Sequence, residues 1–156
     1  MTNDYVNFAA DVGKKIILAR CNKEKDSTKP GLVRRAVDFP TLMLSIGFSP
    51  AFTFYLSKIE DYDSLIKFYK YLLNEEEDTQ PICKELERKE GAGYAGYVAI
   101  LLLVLEKIGK PIKIDENSSS NYSLLINLST LVDLKDEWRI LPYLSELKKV
   151  LEALPL

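Results

Sequence analysis

The sequence predicts an all-α protein, a single compact bundle of about seven helices built from residues 1–156. Three observations lead there. Apolar residues recur at intervals of three and four along most of the chain, the period of a helix face. No series of segments alternates apolar and polar residues as half-buried strands do. With 156 residues, 47% of them apolar, the chain is large enough to enclose one proper core.

Residues 4–26 read as a long first helix. Tyr5, Phe8, Ala9, Val12, Ile16 and Ala19 form an apolar stripe, and Asn3 or Asp4 stands where an N-cap is expected. Its basic residues Lys14, Lys15, Arg20, Lys23 and Lys25 fall mostly in the C-terminal half, where cations complement the helix dipole. Asp26–Gly31 has the composition of a loop. Leu32–Asp38 then reads as a short amphipathic turn carrying Arg34 and Arg35. Neighbouring side chains on a helix diverge by about 100°, so at least one of the two arginines faces solvent.

Phe39–Lys58 concentrates the most side-chain area and is the expected centre of the bundle. Pro40 and Pro50 each fit the first turn of a short helix, with Ser49 as the N-cap of the second. Leu42, Met43, Leu44 and Ile46 predict a first helix buried nearly all round. Phe52, Phe54, Tyr55, Leu56 and Ile59 predict core positions in the second. Asp61–Leu73 follows as an amphipathic helix, with Leu65, Phe68, Tyr69 and Leu72 inward and Lys67, Lys70 and Tyr71 elsewhere. The run Glu75–Asp78 ends it and reads as a solvated connector, because four consecutive carboxylates rarely converge on a metal.

A short charged helix is expected over Pro81–Lys89. Gly91, Gly93 and Gly96 match G-x-G-x-x-G, but ELERKE precedes them instead of the strand that a dinucleotide site needs. Small residues at a helix start that admit a close neighbour are the better account. Tyr97–Ile108 is then the most buried helix, closed by Gly109. A polar loop over residues 110–120, a helix over 122–134 and a last helix from about Arg139 or Pro142 to Ala153 complete the chain. The last one turns Leu144, Leu147, Val150 and Leu151 inward. Trp138 either packs in the core or covers an end of the bundle.

Composition excludes more than it selects. The chain has no histidine, which removes imidazole-based triads, histidine general acid–base catalysis and histidine-ligated metal sites. No P-loop and no distinctive carboxylate pair stands in for them, so a non-catalytic protein without cofactor or metal is expected. Cys21 and Cys83 lack metal spacing and no secretory leader is evident, which points to free thiols in a reducing cytoplasm. The longest apolar run, Val98–Leu105, is short of the roughly 20 residues of a membrane span. The net charge of −2 is divided unevenly: residues 1–35 carry eight bases against four acids, and residues 60–90 five bases against ten acids. A basic pole and an acidic middle result. The pair Arg34–Arg35, beside Lys23, Lys25 and Lys29, suits phosphate contact, because arginine offers a planar fork to phosphate oxygens.

The basic lead-in Arg34–Arg35, an apolar helical turn, Gly47 and an aromatic helix ending in Lys58 resemble the small α-helical subunit of type III-B CRISPR effector complexes. The likeness runs from about Leu32 to Leu73; the small subunits of type I-A and other type III complexes are similar. It implies a non-catalytic subunit of an RNA-guided interference complex, stacked in several copies along the inner filament. Its partners would be the other effector subunits, guide RNA and target nucleic acid. Arg34, Arg35 and Lys58 are the backbone contacts that the resemblance implies, while Lys14, Lys15, Arg20, Lys23, Lys25 and Lys29 rest on charge clustering. The alternative is a helical protein–protein adaptor without nucleic-acid contact. A helix-turn-helix regulator fits poorly, since the helix after the arginine pair is too apolar to lie in a groove.

Overall fold

The structure, a computed structural model, describes residues 2–19, 31–59, 61–73, 90–112 and 132–154. Six helices make up the described residues and no strand occurs among them: α1 (Thr2–Ala19), α2 (Gly31–Ile46), α3 (Phe48–Ser57), α4 (Tyr62–Leu73), α5 (Glu90–Lys107) and α6 (Leu134–Ala153). The all-α expectation is met. The expected end of the first helix at 26, the helices over 81–89 and 122–131, the run Glu75–Asp78, and Cys21 and Cys83 lie outside the described residues.

The centre of the fold is α5. From Tyr94 to Leu105 every residue but Leu103 is buried, and the helix packs against α2, α3, α4 and α6. This corrects the expectation that Phe39–Lys58 is the hub. That stretch supplies one wall of buried Phe39, Phe48, Phe52 and Tyr55, in which Phe39 meets Tyr97 of α5, Tyr55 meets Tyr94, and Phe39 and Tyr55 meet each other. The rings adopt edge-on or tilted contacts with centroids 4.9–5.3 Å apart, the arrangement that aromatic quadrupoles favour. The hub is α5 because its sequence is apolar on every side, whereas Phe39–Lys58 has polar residues at positions that must face water.

Small residues let α5 sit so deep. A Cβ on Gly93 would lie 2.7 Å from the carbonyl carbon of Gly31 and 2.9 Å from the amide nitrogen of Leu32. The two backbones therefore touch, as expected for glycines that admit a close neighbour. At the far end Gly109 adopts φ +80°, with Lys110 N–H donating to the Leu105 carbonyl at 2.8 Å and Gly109 N–H to Glu106 at 3.1 Å. This pair of bonds is a Schellman stop, and it meets the expectation for Gly109.

Around α5, α1 pairs with α6, and α6 also lies against α2. The α1 stripe is as predicted, with Phe8, Ala9, Val12, Ile16 and Ala19 buried. The helix already begins at Thr2, so Asn3 and Asp4 lie in its first turn and not at its cap.

The prolines depart from expectation. Pro40 is not at a helix start: the turn over 32–38 runs straight on, and Pro40 lies buried inside α2. The missing amide bond is tolerated because Phe39 and Met43 on either side of it are core residues. Pro50 does lie in the first turn of α3, but the N-cap is Gly47 at φ +91°, not Ser49. Pro142 also lies inside a helix. The last helix begins five to eight residues earlier than expected, at Leu134, behind a reciprocal cap: Asp136 N–H donates to Asp133 Oδ1 at 2.9 Å and Asp133 N–H to Asp136 Oδ2 at 3.1 Å. The bond from the Asp136 amide holds the Asp133 carboxyl below its ordinary range.

Two burial expectations are also corrected. Leu44 and Ile46 are exposed, so the second half of α2 is not buried all round, and Phe54 faces outward from α3. On α4, Tyr71 is buried instead of lying outside, and Tyr69 is only partly covered.

Candidate functional site

The sequence-predicted cations separate into three kinds once placed. Arg34 and Arg35 diverge as helix geometry requires. Arg34 is exposed, while Arg35 turns inward. Arg35 Nη1 donates to Tyr94 Oη at 2.6 Å, and its guanidinium lies 4.5 Å from the centre of that ring. Its own carbonyl accepts from Tyr55 Oη at 3.2 Å. Arg35 therefore ties α2 to the aromatic wall, and Arg34 is the arginine of the pair open to a phosphate.

Lys15 is also engaged internally. Its ammonium donates to the Leu72 carbonyl at 2.5 Å, and Tyr71 Oη donates back to the Lys15 carbonyl at 2.7 Å. A cation on the last carbonyls of a helix complements its dipole, so this clasp closes α4 against α1. Lys14, one residue earlier, is exposed. Lys58 follows the end of α3 and is exposed, with its ammonium 5.3 Å from the centre of the Phe54 ring. Arg20, Lys23, Lys25 and Lys29 lie outside the described residues. The exposed cations thus sit on separate elements: Lys14 on α1, Arg34 on α2 and Lys58 after α3.

A groove of about 660 Å³ runs past Lys15. Phe8, Leu72, Leu103 and Tyr143 line it beside Asp4, Asp11, Glu106 and Lys107. Glu106 accepts a bond from Tyr69 Oη across the α4–α5 contact. Among the described residues, no group of three or more acidic, cysteine or histidine side chains is placed to hold a metal ion. No described helix is long and apolar enough to cross a membrane.

The interior tyrosines are held neutral. Burial pushes the Tyr55 and Tyr97 hydroxyls far above their ordinary range, with Arg35 partly opposing the shift at Tyr55. Among the described residues, Tyr97 Oη and Arg35 Nε have no hydrogen-bond partner. Burial likewise raises Tyr69 and Tyr71, with Glu106 adding to the shift at Tyr69.

The most exposed apolar surface was not anticipated as a site. Trp138 is 67% exposed and Leu134 71%, and across from them Leu44 of α2 is 66% exposed. With Met43, Gly47, Leu141 and Glu137 they line a depression of about 360 Å³. Among its described lining residues one is ionisable, and that one is committed to the fold. Glu137 Oε1 accepts from the Phe48 amide at 2.6 Å and so supplies to α3 the cap that Gly47 cannot. The signal was in the sequence: Leu134, Trp138 and Leu141 recur at four and three on α6. They form a second apolar stripe, roughly a third of a turn round the helix from the buried one of Ile140, Leu144, Leu147 and Leu151.

Comparisons of the chain with protein families, with characterised proteins and with solved structures give no match.

Proposed function

We propose that the chain is a non-catalytic helical subunit that acts by binding within a larger assembly, and that this assembly is a CRISPR RNA-guided effector complex. The observation that carries the binding role is the Leu44–Leu134–Trp138 surface. Among the described residues, three large apolar side chains are each about two-thirds or more exposed in one place. The effector reading rests on the resemblance of Leu32–Leu73. In its support, Arg34 and Lys58 near the ends of the apolar part of that stretch are exposed, while Phe39, Met43, Phe48, Phe52, Tyr55 and Leu56 between them are core. In this reading Arg34 and Lys58 contact the phosphate backbone of the guide–target duplex, which is read by shape and charge while base pairing supplies the sequence.

A second reading, a protein adaptor without nucleic-acid contact, is favoured by the internal engagement of Arg35 and Lys15, which removes two of the nine expected contacts from the surface. Charge reversal separates the two. In the assembled complex, Arg34→Glu with Lys58→Glu lowers target affinity by about tenfold or more and flattens its salt dependence if the effector reading holds. Unchanged affinity and salt slope leave the adaptor.

A further inference from the structure

We infer that the depression between α2 and α6 is a docking groove for an amphipathic helix of a partner protein, with apolar anchors on one face and acidic residues along its flank. The inference rests on the reading of the chain as a binding subunit and names what one of its surfaces takes. The anchor side is defined by Leu44, Leu134, Trp138 and Leu141 around a floor of Met43 and Gly47. The volume of about 360 Å³ lies in the range of roughly 300–1,000 Å³ within which proteins hold small apolar groups. Tryptophan is among the residues most enriched at interface hot spots, and an apolar groove between two helices is the shape that a third helix fills.

The charge of the occupant follows from where α6 sends its carboxylates. The helix carries four bases, Lys135, Arg139, Lys148 and Lys149, and four acids. Two of the acids are withdrawn from the surface: Asp136 is buried in the N-terminal cap, and Glu137 is bonded to the amide of Phe48. A third, Glu146, pairs with Lys149 at 3.1 Å. Asp136 is also shared, at 3.6–3.7 Å, by Lys110 and Arg139, so that one buried carboxylate answers two cations. Next to the depression the outward flank of the tryptophan stripe therefore carries Lys135, one turn from Trp138, and Arg139. The fourth acid, Glu152, lies fourteen residues along the helix from Trp138, and Asp133 is held in the cap. An acidic flank on the partner complements the two bases.

The same geometry argues against other occupants. A second copy docked by an antiparallel two-fold contact would bring the Lys135–Arg139 flank against the same basic flank of its partner. A nucleic acid would meet a leucine-lined hollow with no cation among its described lining residues.

Trp138 is the only tryptophan of the chain, so its fluorescence reports the groove directly. The probes are two designed helical peptides with the same leucine stripe, one flanked by glutamates and one by lysines, titrated into the full-length protein. The expected result is a blue shift of Trp138 emission with the glutamate peptide, and affinity about tenfold weaker for the lysine peptide. Lys135→Glu with Arg139→Glu reverses that preference. Leu44→Ser, which leaves the reporter in place, weakens binding of the glutamate peptide by about tenfold, with the helical circular dichroism of the parent. No blue shift, equal response to both peptides, or unaltered binding by Leu44→Ser overturns the inference. So does a blue shift that follows protein concentration or added oligonucleotide, which would assign the groove to a second copy or to nucleic acid. Because this test uses the isolated protein, it fails independently of the assembly reading: a chain that binds neither peptide yet co-purifies with partners loses the groove and keeps its role as a subunit.

Discussion

The seam between α2 and α5 and the junction between α2 and α6 use the same helix in opposite ways. At the seam, Gly31 and Gly93 bring two backbones into contact, and Leu32, Ala36 and Phe39 are buried. At the junction, thirteen residues along α2 from Gly31, Leu44 is turned to water beside Trp138, and the bond across the gap runs from a backbone amide to Glu137. The seam shows a surface closed to the limit that sterics permit. The junction shows one fixed in geometry but left open. Within one helix, then, burial is set by what packs against each turn, and a large apolar side chain that no described residue covers is a candidate contact for a partner.

Breaking the seam has the largest expected effect. Gly93→Ala puts a Cβ within 2.7–3.0 Å of backbone atoms of Gly31 and Leu32, which cannot swing aside, and is expected to cost about 3 kcal/mol in urea unfolding. Gly96→Ala sharpens the point. Its Cβ meets the flexible end of Leu32 at 3.3 Å, so it should cost clearly less than Gly93→Ala in the same assay.

The junction responds more mildly. Glu137→Ala removes the acceptor for the Phe48 amide and is expected to cost about 1–2 kcal/mol, the range of a lost N-cap. Glu137→Gln keeps an oxygen in place and should recover part of that loss. Equal losses for the two variants would show that the carboxylate charge at the α3 dipole, and not the bond, holds the junction.

The aromatic wall beside the seam is sensitive to alkali. Tyr55 and Tyr97 have hydroxyls raised above the unfolded value by burial, so their contribution to stability is complete below pH about 10 and is lost as pH rises above it. Tyr97→Phe should change stability at pH 7 by less than about 1 kcal/mol, since Tyr97 Oη has no partner to lose among the described residues. It should also reduce the slope of stability above pH 10, measured by thermal melting across the alkaline range. The smallest effect belongs to Leu44→Ser at the open junction, expected within about 0.5 kcal/mol of the parent.

The fold was legible where a local pattern decides structure. The α1 stripe, the stop at Gly109 and the close approach at Gly93 follow from helical periodicity and from what glycine alone permits. Tertiary packing overrode local rules elsewhere. Pro40 and Pro142 read as helix starts, yet both lie within helices whose buried residues continue on either side. The Asp133–Asp136 cap marks the true start of α6, with aspartate in place of the more familiar glutamate of a capping box.

The candidate site was legible only in part. Two adjacent arginines must diverge, and Arg34 is indeed exposed; that Arg35 would find Tyr94, 59 positions away, is a long-range fact. Lys15 on the Leu72 carbonyl is of the same kind. The Trp138 surface needed both α2 and α6 in place before Leu44 and Leu134 became neighbours of one depression.

The central claim is that this chain works inside an assembly. It is tested most directly by purifying the tagged full-length protein from its native cell and identifying the proteins and RNA that accompany it. The account predicts a large complex with repeat-containing subunits and short guide RNAs. Recovery of the chain alone, with neither partner proteins nor RNA, would contradict it.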